Sequence, residues 1–215
     1  MNQHCYLCGA PAPETRDHIP PVCFFPEPKP SNLITVPCCS KCNASYSMDD
    51  EAFRAWVSMA EHTSEAGQWI FEKRVFPHSI ERKPKLAQHI RENVRTISLN
   101  GRAVDVIDFP KARAERFLLR ITKGLLAHFY PDVAPALLEF ETNQIRITAE
   151  NRRAYEELRD SAAYDARGDS VFQFRRFVVK ETGQGYWIYC FYGASLFSVR
   201  HKPRLSDQPA PSPEA

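Results

Sequence analysis

Six of the seven cysteines stand in the first 42 residues, and two Cys-x-x-Cys knuckles are among them: Cys5/Cys8 and Cys39/Cys42. Two residues between thiols let both sulfurs face one ion from a tight turn, so this set has the spacing of a tetrahedral zinc site. Four protein ligands leave no open position, which gives such a zinc a structural task. Cys39 is preferred to Cys38 on spacing alone, Cys38 is then the spare thiol, and Cys23 reads as a small buried hydrophobe. His4, beside Cys5, is a substitute ligand should that spacing mislead. Between the knuckles lies Arg16-Asp17-His18-Ile19-Pro20-Pro21, and Asn43 follows the second knuckle directly. A histidine titrates near neutral pH and can take a proton from water. Asp17 and Asn43 are hard oxygen donors of the kind that hold Mg²⁺ or Mn²⁺ against phosphate oxygens.

The ordered series of first knuckle, Asp17-His18-Ile19-Pro20, Asn32-Leu33, second knuckle and Asn43 resembles the zinc-bearing HNH endonucleases with the ββα-metal fold. It covers Cys5 to Arg54, about the first quarter of the chain. The resemblance implies a hydrolase that cuts phosphodiester bonds of nucleic acid, DNA before RNA. His18 would be the general base and Asn32 the residue that orients it, while Asp17 and Asn43 would hold the catalytic Mg or Mn. Arg16 and Lys41 flank the motif as phosphate contacts. Two departures stand out. Many relatives carry a Lys shortly after the last Asn, where this chain reads Ala44-Ser45-Tyr46, and the Cys23 to Ser31 loop is proline-rich where relatives have a Gly-containing turn. The competing reading is a non-catalytic zinc-stabilised module that binds nucleic acid or a protein.

Elements must bring these groups together. If Asp17 and His18 share a strand, alternation sends them to opposite faces, so a bend or strand end is needed to reconcile them. Ser47-Met48-Asp49-Asp50-Glu51 opens a helix with cap-type residues and acids, and Phe53, Trp56, Val57 and Ala60 follow at helical spacing. A connection near Thr63 closes a module over 1–63. Residues 64–202 form an α+β region: Val94 to Leu99 and Arg102 to Phe109 flank the hairpin signal Asn100-Gly101. Lys111 to Phe129 is a helix whose apolar face holds Phe117, Ile121 and Leu125. A short polar helix spans Glu150 to Asp160, and strands over 172–179, 186–192 and 195–200 follow. The fold class is therefore α+β, a zinc-bound ββα module followed by mixed helices and hairpins, with a disordered tail over 203–215.

Composition sets the remaining bounds. With 28 Lys or Arg against 26 Asp or Glu, the chain is no polybasic binder, and a nucleic-acid surface must be local. Residues 71–126 hold thirteen Lys or Arg against six Asp or Glu, and Arg113, Arg116, Arg120 and Lys123 lie largely off the apolar face of their helix, a candidate phosphate track. The longest charge-free stretch, Thr182 to Val199, is too short and too Gly-broken to span a membrane. The first residues show no basic stub and apolar run, so the expected location is the cytoplasm. Residues 64–202 also leave room for a regulatory protein partner.

Overall fold

The computed structural model describes residues 4–99, 101–108, 110–146 and 152–204. Strand β1 (Thr15–Ile19) pairs antiparallel with β2 (Ile34–Cys38), and short helix α1 (Ser40–Ser45) starts at the second knuckle, with the Asn43 amide on the Cys39 carbonyl at 3.0 Å. After Tyr46 comes α2 (Ser47–Ser58), as the cap-type residues predict. The chain continues through α3 (Glu65–Ile70), a π-helical stretch Phe71–Ile80 and α4 (Pro84–Glu92) to the hairpin β3 (Val94–Leu99) and β4 (Arg102–Ile107). The strands stand where the Asn-Gly signal puts them; Asn100 itself lies outside the described residues.

Helix α5 (Lys111–Phe129) has the predicted ends. It is followed by β5 (Leu138–Gln144), α6 (Arg152–Ser161), β6 (Ala163–Arg167), β7 (Phe172–Val179), β8 (Gln184–Phe191) and β9 (Ser195–Pro203). The last five strands form one antiparallel sheet in the order β5-β9-β8-β7-β6. The three predicted strands are its centre; β5 and β6, with few apolar residues, are its edges. Of the predicted tail, Pro203 ends β9 and 205–215 lie outside the described residues. None of the described helices is long and apolar enough to cross a membrane.

The apolar core runs without a break from Cys5 to Val199, so a boundary at Thr63 does not separate two cores. Its centre is aromatic: Phe53 of α2 stacks on Phe117 of α5 at 4.0 Å, Phe24 lies 5.4 Å from Phe117, and Phe191 of β8 meets Phe53 edge-on at 5.1 Å. Large side chains interlocked in this way bury the apolar area on which a chain of this size depends. Tyr192 ties the ends together, donating its hydroxyl to the Phe24 carbonyl at 2.8 Å and accepting the Ser64 amide on its own carbonyl at 2.8 Å. Helix α5 packs against both the β1–β2 hairpin and the large sheet, and is buried on more than one side. The hairpin comes so close that a Cβ on Gly124 would lie 2.4 Å from Ile19 Cδ1. Only glycine fits there without displacement.

Candidate metal centre and the motif residues

The first knuckle folds back on itself. Gly9, at φ +74°, donates to the Cys5 carbonyl at 2.8 Å, and the Cys5 amide returns to Ala10 at 2.7 Å. Its neighbour Tyr6 donates from its amide to the Pro37 carbonyl at 3.1 Å, which brings the turn against the end of β2 where the second knuckle begins. The sulfurs of Cys5, Cys8, Cys39 and Cys42 then all lie within 4.8 Å of one another, with Cys8 and Cys39 3.8 Å apart. A tetrahedron with Zn–S bonds of about 2.3 Å has edges of about 3.8 Å, so the donor set fits zinc. Cys38 is fully buried on the core side of β2 and is not one of the four that converge, so the geometry favours Cys39 over Cys38. Burial raises the Cys5 thiol, but bonds from the Cys39, Cys8 and Leu7 backbone outweigh it and bring the pKa to about 6. Burial, followed by sulfur contacts with Cys39 and Cys8, pushes Cys42 the other way. Amides turned toward sulfur favour a thiolate, the form that binds metal.

The remaining motif residues are not gathered around one point. Asp17 and His18 sit in mid-strand with regular pairing, opposite Val36 and Thr35, and no bend reconciles them. Alternation therefore holds: Asp17 points into the core at 3% exposure, and His18 stands half-buried on the outer face beside Arg16. Arg16 is occupied at Thr35, donating from Nε to Oγ1 at 3.0 Å and from Nη2 to the carbonyl at 2.9 Å. His18 has no hydrogen-bond partner among the described residues. Asn32 does not orient it, since its amide reaches the Ala166 carbonyl of β6 at 3.4 Å. Asn43 directs its amide to Thr15 Oγ1 at 3.5 Å, on the face of β1 that holds Asp17. Lys41 is exposed on α1.

Asp17 has partners of its own, which the motif did not disclose. Arg120 of α5 donates to it twice, Nη2 to Oδ1 at 2.6 Å and Nε to Oδ2 at 2.9 Å, and Tyr6 donates its hydroxyl to Oδ2 at 2.6 Å. The third arm of the guanidinium, Nη1, reaches Asp50 Oδ1 of α2 at 2.5 Å, and the Tyr46 ring covers the group at 4.9 Å. Two buried carboxylates thus share one buried cation, an excess of one negative charge. Desolvation pushes Asp50 up to about 6 although Arg120 opposes it.

A Mg-type ion at Asp17 and Asn43 does not fit this arrangement. Both oxygens of Asp17 are taken, the side chain is closed off from solvent, and a divalent cation there would sit against Arg120. The expected phosphate track on α5 is corrected as well. Arg120 is 2% exposed, Arg116 pairs with Asp49 at 3.1 Å beneath Tyr46, and Lys123 lies over the Phe140 ring at 5.8 Å with its pKa lowered by burial. Of the four, Arg113 and Lys123 have no ion pair among the described residues, and Arg113 is half-buried. The physical reason is that α5 is central, so the part of its basic side that carries Arg120 lies against the hairpin and α2, while Arg116 stays exposed.

No family model, curated protein or solved structure matches the chain.

Proposed function

We propose that the chain is an endonuclease of the HNH type that hydrolyses phosphodiesters of nucleic acid, DNA foremost, with His18 as general base. The observation that carries this reading is the order of the motif on a zinc-competent clamp. A β-hairpin bearing Asp17-His18 leads into a helix bearing Asn43, and four converging cysteines join the two. His18 is presented outward and unpartnered, the condition a base needs to reach a water above the strand. The His18 imidazole takes a proton from water as the water oxygen bonds to phosphorus; the bond to the 3′ oxygen breaks, and that oxygen is protonated from solvent. Arg16, on the same strand face, offers its remaining N–H groups to the phosphate. Asp17 serves as a structural anchor, fixing β1 to Arg120 so that His18 faces out. No step is assigned to a Mg-type ion, because Asp17 and Asn43 do not converge on a common site. Zinc at Cys5, Cys8, Cys39 and Cys42 holds the fold.

A second reading, a non-catalytic zinc-stabilised nucleic-acid-binding module, is favoured by one specific observation: the carboxylate the motif offers for metal is consumed by Arg120. A cleavage assay on plasmid and single-stranded DNA separates the two. The endonuclease nicks or linearises DNA, with and without added Mg²⁺ being compared, and His18→Ala does not. The binding module retains DNA without turnover and is indifferent to His18.

A further inference from the structure

Two other arginines do what those of α5 do not. The register of the large sheet places Asp165 and Arg167 of β6 and Arg176 of β7 on the face that carries Phe172 and Phe174. Their side chains are largely enclosed, at 12% exposure for Arg167 and 17% for Arg176. Asp165 is the one carboxylate paired with both. It accepts Arg167 Nη1 closely and Nη2 at 3.1 Å, but lies 3.9 Å from Arg176 Nη1, beyond hydrogen-bond reach. Arg176 is held instead by its flat face, 3.9 Å above the Phe129 ring and 5.7 Å from Phe174. Its Nε and Nη1, and Nε of Arg167, are buried with no acceptor among the described residues. Buried guanidinium donors without acceptors are costly, and two cations against one anion leave a positive charge to be met.

An open groove of about 630 Å³, lined by Glu14, Arg16, Thr35 and His128 among others, ends near this pair without including either arginine in its lining. His128, at the last turn of α5, links groove and arginines by geometry: it lines the groove, and its ring meets edge-on, at 4.5 Å, the Phe129 ring over which Arg176 lies. Burial lowers its pKa first, and the charges of Arg167 and Arg176 lower it further while Asp165 opposes them. Asn32 belongs to the same place, since its amide and Arg167 Nη1 both end on the Ala166 carbonyl. A planar guanidinium whose edge is free and whose face is stacked is suited to a tetrahedral oxyanion. We propose that Arg167 and Arg176 form a phosphate-binding site beyond the His128 end of the groove, which takes a phosphate of the nucleic-acid strand or a free phosphate. The choice of a strand as its source rests on the proposed function; the site does not.

The test is binding, which needs no turnover. The zinc-loaded full chain, without Mg²⁺, is titrated calorimetrically with inorganic phosphate and by fluorescence anisotropy with a labelled DNA strand and its duplex. Arg176→Gln, Arg167→Gln and the exposed Arg91→Gln of α4 are compared. Each of the first two weakens both probes about tenfold and reduces the salt dependence of strand binding by about one contact; Arg91→Gln stays within about twofold of wild type. Phosphate bound but strand refused keeps the site and assigns it a small anion. Should Arg176→Gln melt early, Arg167→Gln and Arg176→Lys, which keeps the charge and loses the fork, carry the comparison. Unchanged affinities in folded Arg167 and Arg176 variants, or a wild type that binds neither probe, overturn the site. Absence of cleavage with intact, arginine-dependent binding would instead count against the nuclease alone.

Discussion

Replacing Arg120 by Leu probes the junction between the zinc-competent hairpin and the rest of the molecule. The side chain is 1% exposed and donates to Asp17 at 2.6 and 2.9 Å and to Asp50 at 2.5 Å. Its removal leaves two buried carboxylates with no cation, and breaking a buried ion pair from one side costs about 3–5 kcal/mol. For a chain of this length each kcal/mol lowers the melting temperature by about 2–4 °C, so a loss of about 6–20 °C is expected at pH 7. Arg120→Lys keeps the charge but cannot span both carboxylates with one planar fork, and falls between. The informative companion is Asp17→Asn in Mg-free buffer. If Asp17 anchors Arg120, the variant is destabilised; if Asp17 existed only to hold a metal, relieving an unpaired carboxylate would leave the melt unchanged or higher. Calorimetry on zinc-loaded protein reads both, and a drop under about 3 °C for Arg120→Leu would refute the structural role of the cluster.

Other consequences follow from the same geometry. Asp50 has its pKa raised from 3.8 to about 6, so between those values the folded chain holds a proton that the unfolded chain has lost. Its contribution to stability therefore falls as pH rises from about 4 to about 6, by up to about 3 kcal/mol, then levels off. Asp50→Asn should flatten that part of the stability profile in urea titrations, and an unchanged profile would place the buried proton elsewhere. Cys39→Ser or Cys42→Ser should lose bound zinc by elemental analysis and lower the melt sharply, while Cys38→Ser should keep one zinc per chain; zinc loss from Cys38→Ser alone would reverse the ligand choice. Gly124→Ala should cost about 1–3 kcal/mol from the contact with Ile19, despite the better helix propensity of alanine. A melt equal to wild type would show that the hairpin yields.

What could be read from the residues was local. The ends of α5, the start of α2, the β3–β4 hairpin and the three central strands of the sheet follow from cap-type residues, periodicity and turn chemistry, each set within a few residues of itself. The cysteine cluster was legible for the same reason, since spacing within a knuckle is short-range even though the two knuckles are far apart in sequence. The misses all belong to long-range packing. A helical wheel for α5 shows one apolar stripe and a basic remainder, but it does not show that a hairpin more than eighty residues upstream covers Arg120 within that remainder. Arg120 therefore read as a solvent-facing cation and Asp17 as a metal ligand, when each is the partner of the other. Edge strands β5 and β6 were missed because edges need few apolar residues. Arg167 and Arg176 carried no motif; the alternation that puts them on the aromatic face of β7 was visible only once the register with β6 and β8 was fixed.

Whether His18 acts as a general base is decided by cleavage of supercoiled plasmid and single-stranded DNA by wild type and His18→Ala at equal zinc content, each with and without Mg²⁺ or Mn²⁺. Wild type nicks or linearises DNA and the variant does not, with matched melts because the His18 side chain is half-buried and has no hydrogen-bond partner among the described residues. Full activity in His18→Ala would contradict the assignment of the base. Silence from wild type under every metal condition, with DNA still bound, would contradict the nuclease and leave the zinc-stabilised binding module.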